Sequence, residues 1–486
     1  MSYPTRSRQR RVVVVGGGIA GLAATFLLKD AGLAVTLLEG SPRLGGKLAV
    51  SGVAGVEVDA GAEALLARRP EGTGLIGALG LAGELRTPGT TAAGIWTRGS
   101  IRALPRRQFM GVPADLAELA VSGIVSPAGL ARAAADLTEP DSDPGRDESV
   151  AARVGDRFGA EVVERLVEPL LGGVYAGRCD DLSFEATLGP LAKAAHGRSS
   201  LAEAVASMLP APAAGGPAAG GPAPAPVFTT LAGGLGSLPA ALAAASGATV
   251  RAGAMVRELA RTPDGWRLTV GSAHAPESVE ADAVILAVQA RPASRLLADV
   301  APGAAAALGE IRYASMAIVT LAYPVAAFPA PVTGSGFLVP PVDGHSVKAV
   351  TFSTVKWPHL RAAEPGLHIV RCSLGRLGED AVLQRDDTEL AALAAADLAS
   401  ATGVRGAPAD VRVTRWGGGL PQYSVGHLDR VTRIRASVAD LPGIALCGAA
   451  YDGVGIPACI ATAQLAAGEV LSYLDGLASR DDGSAT

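Results

Sequence analysis

Three glycines near the start of the sequence have a spacing that can bind phosphate. They form the pattern Gly-x-Gly-x-x-Gly between a β-branched run at residues 11–15 and an Ala- and Leu-rich segment at residues 20–31. In such a strand–turn–helix unit the first glycine makes the tight turn, the second lets a diphosphate approach the backbone, and the third lets helix and strand pack closely. Amide groups at the helix start attract the phosphate charge. The residues predicted to bind a dinucleotide here are Gly16, Gly17, Gly18, Ile19, Ala20 and Gly21.

A carboxylate and two cations follow at the end of the next predicted strand, residues 35–39. Glu39 lies close to the spacing of about 20 residues at which an acidic side chain binds ribose hydroxyls and repels a 2′-phosphate. The glycines after it permit a second close approach of the backbone, and the cations can neutralise diphosphate charge. The residues predicted for this second contact are Glu39, Gly40, Arg43, Gly45, Gly46 and Lys47.

The end of the chain carries another strand–turn–helix pattern. A predicted strand at residues 444–447 leads into a glycine-rich turn and a helix over about residues 459–477. Backbone N–H groups at this helix start can again face a ligand. The predicted contacts are Gly448, Val454, Gly455 and Ile456. No later strand precedes a second complete Gly-x-Gly-x-x-Gly, because residues 233–236 lack the last glycine, so we expect no separate nicotinamide-binding domain.

The cysteines and histidines do not form a recognisable metal or catalytic set. The four cysteines include no Cys-x-x-Cys pair, and the six histidines show no metal-ligand or triad spacing. We therefore expect no metal ion and no side-chain acid or base. A reduced, cytoplasmic chain is the simplest interpretation.

Length and composition narrow the classes of protein. A chain of 486 residues exceeds what one core usually supports, so two or three domains are expected. The net charge of −4 argues against nucleic acid as a partner, whereas a charged fraction of only 18% leaves peripheral membrane contact open. The uncharged region between Glu203 and Arg251 is interrupted by several prolines, so we do not expect it to span a membrane.

The glycine motifs at both ends resemble those of a flavoprotein family. The segment Glu39-Gly-Ser-Pro-Arg43-Leu-Gly45-Gly46-Lys47 is similar to the extension found in amine oxidases, phytoene desaturases and protoporphyrinogen oxidases, and enzymes that bind only NAD lack it. Residues 448–457 resemble the C-terminal flavin motif of the same family. The resemblance implies that the nucleotide is FAD. Without a nicotinamide domain, dioxygen is the simplest acceptor of its electrons.

Segments in the middle of the chain resemble one branch of that family, the protoporphyrinogen/coproporphyrinogen oxidases. The similar segments are residues 167–177, 313–316, 334–337, 356–359 and 420–427. Among these enzymes the chain looks most like the soluble type of Gram-positive bacteria, which oxidises coproporphyrinogen III with dioxygen and releases hydrogen peroxide during haem biosynthesis. Oxidation of protoporphyrinogen IX stays open as an alternative, since no motif reports the choice. Another amine-oxidase-like flavin oxidase is a further alternative.

The resemblance also implies further site residues. Those carried over for the cofactor are Gly61, Ala62, Glu63, Ala64, Val256 and Trp416, and those for the substrate are Arg69 and Val174. The loop at residues 59–64 departs from the family, because a Gly-Pro pair is usual there and the proline is missing. The chemistry is expected on flavin N5, in three two-electron steps, with no catalytic side chain. The implied partners are a porphyrinogen, dioxygen and a downstream haem-pathway enzyme.

The expected fold is α/β, with a Rossmann-like FAD-binding domain, a mixed-sheet substrate domain and an inserted helical domain. Strand patterns surround an Ala- and Leu-rich helical block, so the domains are expected to be discontinuous. We assign residues 1–65, 226–300 and 408–486 to the FAD-binding domain and residues 66–110 and 301–407 to the substrate-binding domain. Residues 111–209 form the helical insert, and residues 210–225 form a low-complexity linker.

Overall fold

A computed structural model of the chain describes residues 9–138, 145–210 and 226–483. The strands are, in chain order, β1 (Arg11–Val15), β2 (Ala34–Leu38), β3 (Val50–Val53), β4 (Val56–Asp59), β5 (Leu65–Leu66), β6 (Leu85–Arg86), β7 (Ala93–Thr97), β8 (Ser100–Ala103), β9 (Gln108–Phe109), β10 (Val112–Pro113), β11 (Phe228–Leu231), β12 (Thr249–Arg251), β13 (Val256–Thr262), β14 (Gly265–Ser272), β15 (Ala275–Ala281), β16 (Ala283–Leu286), β17 (Tyr313–Pro324), β18 (Gly336–Leu338), β19 (Val347–Phe352), β20 (Leu367–Leu374), β21 (Asp410–Pro421) and β22 (Ile444–Leu446).

The α-helices are α1 (Ile19–Leu27), α2 (Pro70–Ala78), α3 (Leu116–Ser122), α4 (Pro127–Ala133), α5 (Val150–Phe158), α6 (Ala160–Val162), α7 (Glu168–Tyr175), α8 (Phe184–Thr187), α9 (Gly189–Ala195), α10 (Leu201–Met208), α11 (Leu238–Ser246), α12 (Ala290–Leu297), α13 (Pro302–Gly309), α14 (Ser353–Lys356), α15 (Pro358–Ala363), α16 (Asp380–Leu383), α17 (Asp387–Thr402), α18 (His427–Ala439) and α19 (Ile456–Gly483). A π-helical turn, Val163–Val167, joins α6 to α7.

The N-terminal valine run forms the middle of a parallel sheet with the strand order β12-β2-β1-β16-β22. Both faces of this sheet are covered, which is why its strands are continuously apolar. Val12 and Val14 belong to the core shared with α1, α11 and α19. Val13 and Val15 belong to the opposite core, shared with α12, α13, α18 and the β13–β15 meander. The sequence prediction of a Rossmann-like domain is confirmed.

A second, mixed sheet has the strand order β21-β17-β20-β19-β18-β7-β8. Its neighbouring strands are antiparallel except for β18 and β7, which run parallel. One face packs on α17 around buried residues such as Val319, Val370 and Leu390. The other face contributes side chains to a cavity that it shares with the parallel sheet.

Helices α3–α10 form a separate block with its own apolar core, which includes Phe158, Leu166 and Leu171. Tyr423, from the segment after β21, is also part of this core and so ties the block to the rest of the chain. No helix among residues 9–138, 145–210 and 226–483 combines the length and apolarity needed to cross a bilayer.

Two segments, β21 and α13, belong to a different domain from the one to which the sequence analysis assigned them. Strand β21 was assigned with residues 408–486, but it pairs with β17 from Ala322 to Tyr313 and therefore belongs to the mixed sheet. Helix α13 was assigned to residues 301–407, but Ala304 and Leu308 pack with α12 and α18 in the core of the parallel sheet. Neither boundary has a local sequence signal, because both depend on pairing across the fold. Most of the predicted linker, residues 211–225, lies outside the described residues.

Candidate functional site

A cavity of about 1390 Å³ lies between the carboxyl ends of the parallel strands and the free face of the mixed sheet. Val15, Leu38, Ala287 and Gly448 line it directly at or after the ends of β1, β2, β16 and β22. Ligands of open parallel sheets bind at this edge. The volume exceeds the range of about 300–1,000 Å³ that is usual for one small molecule, so a dinucleotide and a second molecule both have room.

The glycine turn after β1 has one glycine facing open space and two that are required by packing. A Cβ atom on Gly16, whose φ is +109°, would lie 2.5 Å from the carbonyl oxygen of Ala287. A Cβ atom on Gly21 would lie 1.9 Å from the carbonyl oxygen of Gly16. No atom among the described residues lies within 4 Å of a Cβ placed on Gly18. Gly16, Gly18, Ile19 and Ala20 line the cavity, whereas Gly17 and Gly21 support the turn from behind.

Glu39 lies at the cavity edge with its carboxylate fixed by two backbone donors. The amide N–H of Gly17 donates to Oε2 at 2.7 Å, and that of Ser41 donates to Oε1 at 2.7 Å. Each carboxylate oxygen can accept a further hydrogen bond, so ribose hydroxyls can still bind. Gly40 lies beside it, where a Cβ atom would be 2.6 Å from Cε of Met255.

The second glycine loop, residues 45–46, lies directly against the first. The amide of Gly45 donates to the carbonyl oxygen of Gly17 at 2.7 Å, and a Cβ atom on Gly46 would lie 3.2 Å from Cα of Gly18. The two loops therefore form a continuous backbone cradle with no side chains between them. A side chain at Gly46 would lie where the cavity meets the first turn.

The two cations predicted to neutralise a diphosphate have different surroundings. The guanidinium of Arg43 donates to carbonyl oxygens of its own loop, including Gly46 at 2.6 Å, and lies 5.4 Å from the ring centre of Trp416. Lys47 lines the cavity, and burial lowers its pKa. Among the described residues no carboxylate lies within ion-pair distance of Lys47. We therefore regard Lys47 as the better-placed counter-charge for an anion, with Arg43 bracing the loop.

The loop that lacks the family proline is held by long-range contacts. A Cβ atom on Gly61 would lie 2.0 Å from the carbonyl oxygen of Lys47. Arg371 donates to the carbonyl oxygen of Gly61 at 2.6 Å, and the indole of Trp416 donates to that of Ala60 at 2.9 Å. Gly61, Ala62, Glu63 and Ala64 all line the cavity. Contacts from the mixed sheet thus hold the loop at residues that the sequence alone left uncertain.

Glu63 is the centre of a buried ion triad at the junction of the two sheets. Its carboxylate binds the ammonium of Lys356 and the guanidinium of Arg371. Burial by itself would raise the pKa of Glu63, but the charges and hydrogen bonds of Lys356 and Arg371 outweigh it and lower the pKa to about 2. Glu63 therefore stays ionised, and the ion pairs that hold the loop persist, over the whole physiological pH range.

The C-terminal motif closes the other side of the cradle. Gly448, Val454, Gly455 and Ile456 line the cavity, and α19 begins at Ile456 with its N-terminal end at the cavity. Helix starts of this kind favour anionic groups. The hydroxyl of Tyr423 accepts from the amide of Gly453 at 2.7 Å and donates to a neighbouring carbonyl at 2.8 Å, which fixes the turn. Val256 lines the cavity from β13.

The two predicted substrate residues are placed differently. Val174, at the end of α7, lines the cavity and is 41% exposed. Arg69 is not among the residues that line the cavity, and its guanidinium binds the carboxylate of Glu71 with an Nη2–Oε1 distance of 2.7 Å. A propionate would have to compete with Glu71 for this guanidinium, so the role of Arg69 stays a prediction.

The sequence analysis missed four cations of the cavity wall, Arg257, Arg295, Lys348 and Arg371, and two of them are buried. Arg371 on β20 and Lys348 on β19 both line the cavity and are less than one-tenth exposed. A signal was available, since each is a lone cation within an otherwise apolar strand pattern, and buried cations need a partner. Within the described ranges no cluster of His, Cys, Asp or Glu is suited to hold a metal ion.

The site fits a flavin dinucleotide. Its cradle is made of backbone amides and glycines, the fixed carboxylate of Glu39 lies at its edge, and it joins a second space on the mixed-sheet side. Residues 19–471 match the family described as flavin containing amine oxidoreductase. The chain therefore belongs to this family and is an oxidoreductase that uses a flavin.

Relatives place the chain in one branch of that family, the protoporphyrinogen/coproporphyrinogen III oxidases. A coproporphyrinogen III oxidase of Mycobacterium leprae (strain TN) is 39% identical over 460 residues, which cover 93% of this chain and 96% of the relative. The coproporphyrinogen III oxidase of Bacillus subtilis (strain 168) is 31% identical, covering 96% and 99% of the two chains. A protoporphyrinogen oxidase of Bos taurus is 30% identical, covering 95% and 98%. The branch predicted from the middle segments is confirmed.

Solved structures agree on the architecture. A crystal structure from Exiguobacterium sp., provisionally designated a protoporphyrinogen oxidase, superposes with a TM-score of 0.82 at 32% identity and covers 96% of this chain and 99% of that one. Cyclohexylamine oxidase from Brevibacterium oxydans superposes with a TM-score of 0.68 at 15% identity, covering 96% and 100%. The second likeness concerns the fold alone.

Proposed function

We propose that the chain binds FAD non-covalently and oxidises coproporphyrinogen III to coproporphyrin III. The observation that carries the proposal is the shared cavity, in which the nucleotide cradle and the wall that contains Val174 border one continuous space. A flavin held at the junction would be next to any macrocycle on the mixed-sheet side. The names of two relatives that are 39% and 38% identical to this chain support the same substrate.

The residues proposed for the cofactor divide by the part of it that they hold. The two glycine loops and the start of α19 hold the diphosphate, with Lys47 as counter-charge, and Glu39 orients a ribose. The loop at Gly61, fixed by Arg371 and Trp416, would border the flavin ring. When bound, FAD supplies an acceptor for two electrons at a time through its N5 atom. No side chain of the chain is assigned as a general acid or base.

We propose dioxygen as the final acceptor. Removal of six electrons and six protons from the porphyrinogen, passed to three molecules of dioxygen, gives the porphyrin and three molecules of hydrogen peroxide. Support comes from the sequence, which carries a complete dinucleotide glycine pattern at residues 16–21 and not after any later strand. The protein orients the macrocycle and excludes water, while the cofactor carries the redox chemistry.

An aerobic assay with coproporphyrinogen III and protoporphyrinogen IX side by side tests the proposal. Porphyrin fluorescence, dioxygen uptake and peroxide are followed together, and we expect three molecules of dioxygen for each porphyrin with a higher kcat/KM for coproporphyrinogen III. Higher kcat/KM with protoporphyrinogen IX would assign the other substrate. Turnover without dioxygen, using NADP⁺ as acceptor, would contradict the proposed acceptor.

A further inference from the structure

Strand β19 carries an irregularity that places a lysine in the cavity wall. It pairs with β20 through Val347 and Ala349 and leaves Lys348 unpaired between them, which is a β-bulge. Ala349 and Thr351 line the cavity, and Val347 and Val350 pack in the opposite core with α17. Regular alternation from Thr351 would therefore point Lys348 into that apolar core. The bulge reverses this and brings Lys348 to the cavity side, a recognised use of bulges beside binding sites.

The ammonium of Lys348 has more donors than the described protein atoms use. The residue is 4% exposed, and its Nζ donates to the carbonyl oxygen of Gly375 at 2.8 Å. No carboxylate of the described chain lies within ion-pair distance of it. An ammonium has three N–H donors, and a buried charge without a counter-charge is costly. The remaining donors and the missing counter-charge both point to an anionic ligand in the cavity.

The surroundings of Lys348 place it on the side of the cavity that faces Val174. Leu338 pairs with Ala349 across β18 and β19, and its Cδ2 would lie 3.4 Å from a Cβ atom on Gly173, the neighbour of Val174. Gly173 and Val174 line the same cavity as Lys348. The end of α7 and the bulge therefore flank one part of the cavity wall.

We propose that Lys348 is a carboxylate subsite, which binds one propionate of the porphyrinogen and thereby fixes the orientation of the macrocycle. The inference rests on the proposed function, because it takes the substrate from there. It adds a cation to the site on geometry alone: a bulge that turns the side chain into the cavity, near-complete burial and the absence of a described protein carboxylate beside it.

The proton affinity of Lys348 makes the subsite sensitive to pH. Burial and, to a smaller extent, the charge of Arg376 lower the pKa of Lys348 to about 7, against the opposing charge of Glu379. A bound carboxylate favours the charged form, so binding of the carboxylate and of the proton strengthen each other. Affinity for a carboxylate should therefore fall as the pH rises above 7.

The other titratable groups packed against β19 are buried, ion-paired or on its α17 side. Burial keeps Tyr175 on α7 and Cys372 on β20 protonated, with each pKa raised to about 12. Arg371 and Lys356 both bind the carboxylate of Glu63, whose pKa of about 2 is far below this range. His345 and Asp397 bind each other on the α17 side, where Asp397 also accepts from the amide of Val347.

Binding of the product coproporphyrin III, followed by quenching of its fluorescence, tests the subsite in the flavin-loaded protein. For Lys348→Met we expect the dissociation constant at pH 6.5 to rise at least tenfold, together with a higher KM for coproporphyrinogen III. For the unmodified protein we expect the dissociation constant for coproporphyrin III to rise about tenfold between pH 6.5 and pH 8.5. In Lys348→Met this dissociation constant should not change with pH. Lys193→Met, on the exposed surface of α9, is the matched control and should behave as the unmodified protein.

The outcomes separate the two proposals. If the unmodified protein turns over coproporphyrinogen III but Lys348→Met keeps its affinity and its pH profile, the subsite is wrong and the proposed function stands. If the unmodified protein neither binds nor oxidises either porphyrin compound, the proposed function fails and the subsite fails with it. Should the variant not fold, judged by flavin absorbance, a pH-independent dissociation constant of the unmodified protein would still overturn the subsite.

Discussion

Replacing Glu63 by glutamine keeps the size of the side chain and removes a buried negative charge that two cations share. Lys356 and Arg371 would then face each other across a neutral amide, each without its counter-charge. Glu63 has a side chain that is only 14% exposed, so water cannot compensate well. We expect Glu63→Gln to destabilise the junction between the parallel and the mixed sheet.

The pKa of Glu63 gives the magnitude. A fall from 4.5 to about 2 corresponds to roughly 3 kcal/mol, at about 1.36 kcal/mol for each pKa unit. Loss of one partner from a buried ion pair costs about 3–5 kcal/mol, which agrees. Because the folded pKa lies below the ordinary one, this stability is present above pH 4.5 and is lost as the pH falls toward 2.

Thermal unfolding of the flavin-loaded protein measures the effect. With an unfolding entropy of about 2.1 cal/mol/K per residue, a chain of 486 residues loses roughly one degree of melting temperature for each 1 kcal/mol of unfolding free energy that is lost. We therefore expect the melting temperature to fall by at least about 3 degrees, and by more if the sheets melt separately. Glu277→Gln removes the partner of Arg251 on the surface and should leave the melting temperature unchanged. Equal melting of Glu63→Gln and the unmodified protein, with equal flavin content, would refute the reasoning.

Three further predictions concern binding. Glu39→Ala should weaken the binding of FAD by about 1.5–3 kcal/mol, which is the value of a hydrogen bond to a charged group. A flavin fluorescence titration measures this affinity, and an unchanged affinity would count against the proposed role of Glu39. Gly61→Ala puts a Cβ atom 2.0 Å from a carbonyl oxygen and should lower the absorbance at 450 nm of the purified protein, whereas Gly52→Ala, at an open position, should not. Arg69→Ala should raise KM by less than about fivefold, because Glu71 already binds the partly exposed guanidinium. The rise should be larger for coproporphyrinogen III than for protoporphyrinogen IX. A rise of more than about fivefold would place Arg69 on the substrate.

The position of the glycine loops at the cavity was predictable because their parts are local. The turn at residues 16–21 follows β1 directly, and each glycine is needed for a reason that the spacing alone conveys. The same holds for the C-terminal turn, which follows β22 and opens α19. The strand and helix patterns on either side of such a turn fix the geometry of the turn within a few residues, so the sequence was sufficient to predict both turns.

The substrate side was less predictable because its parts are distant in the sequence. Glu63 meets Lys356 across 293 positions and Arg371 across 308, and no spacing rule connects them. The orientation of Lys348 depends on a bulge, which shows only once β19 is paired with β20. Arg69 was implied by the family resemblance, which did not reveal that the carboxylate of Glu71, two residues later, binds its guanidinium.

The parallel sheet joins the two ends of the polypeptide, which sets a constraint on biosynthesis. Gly16 and Gly448 line the same cavity, although nearly the whole chain is translated between them. At about 5–20 residues per second, roughly 20–90 seconds separate their appearance at the ribosome. Until β22 and α19 are made, β16 lacks its outer neighbour and the apolar side of α1 lacks its cover. The cavity is therefore completed only at a late stage of folding, and a nascent chain must stay free of aggregation with its first glycine loop already complete.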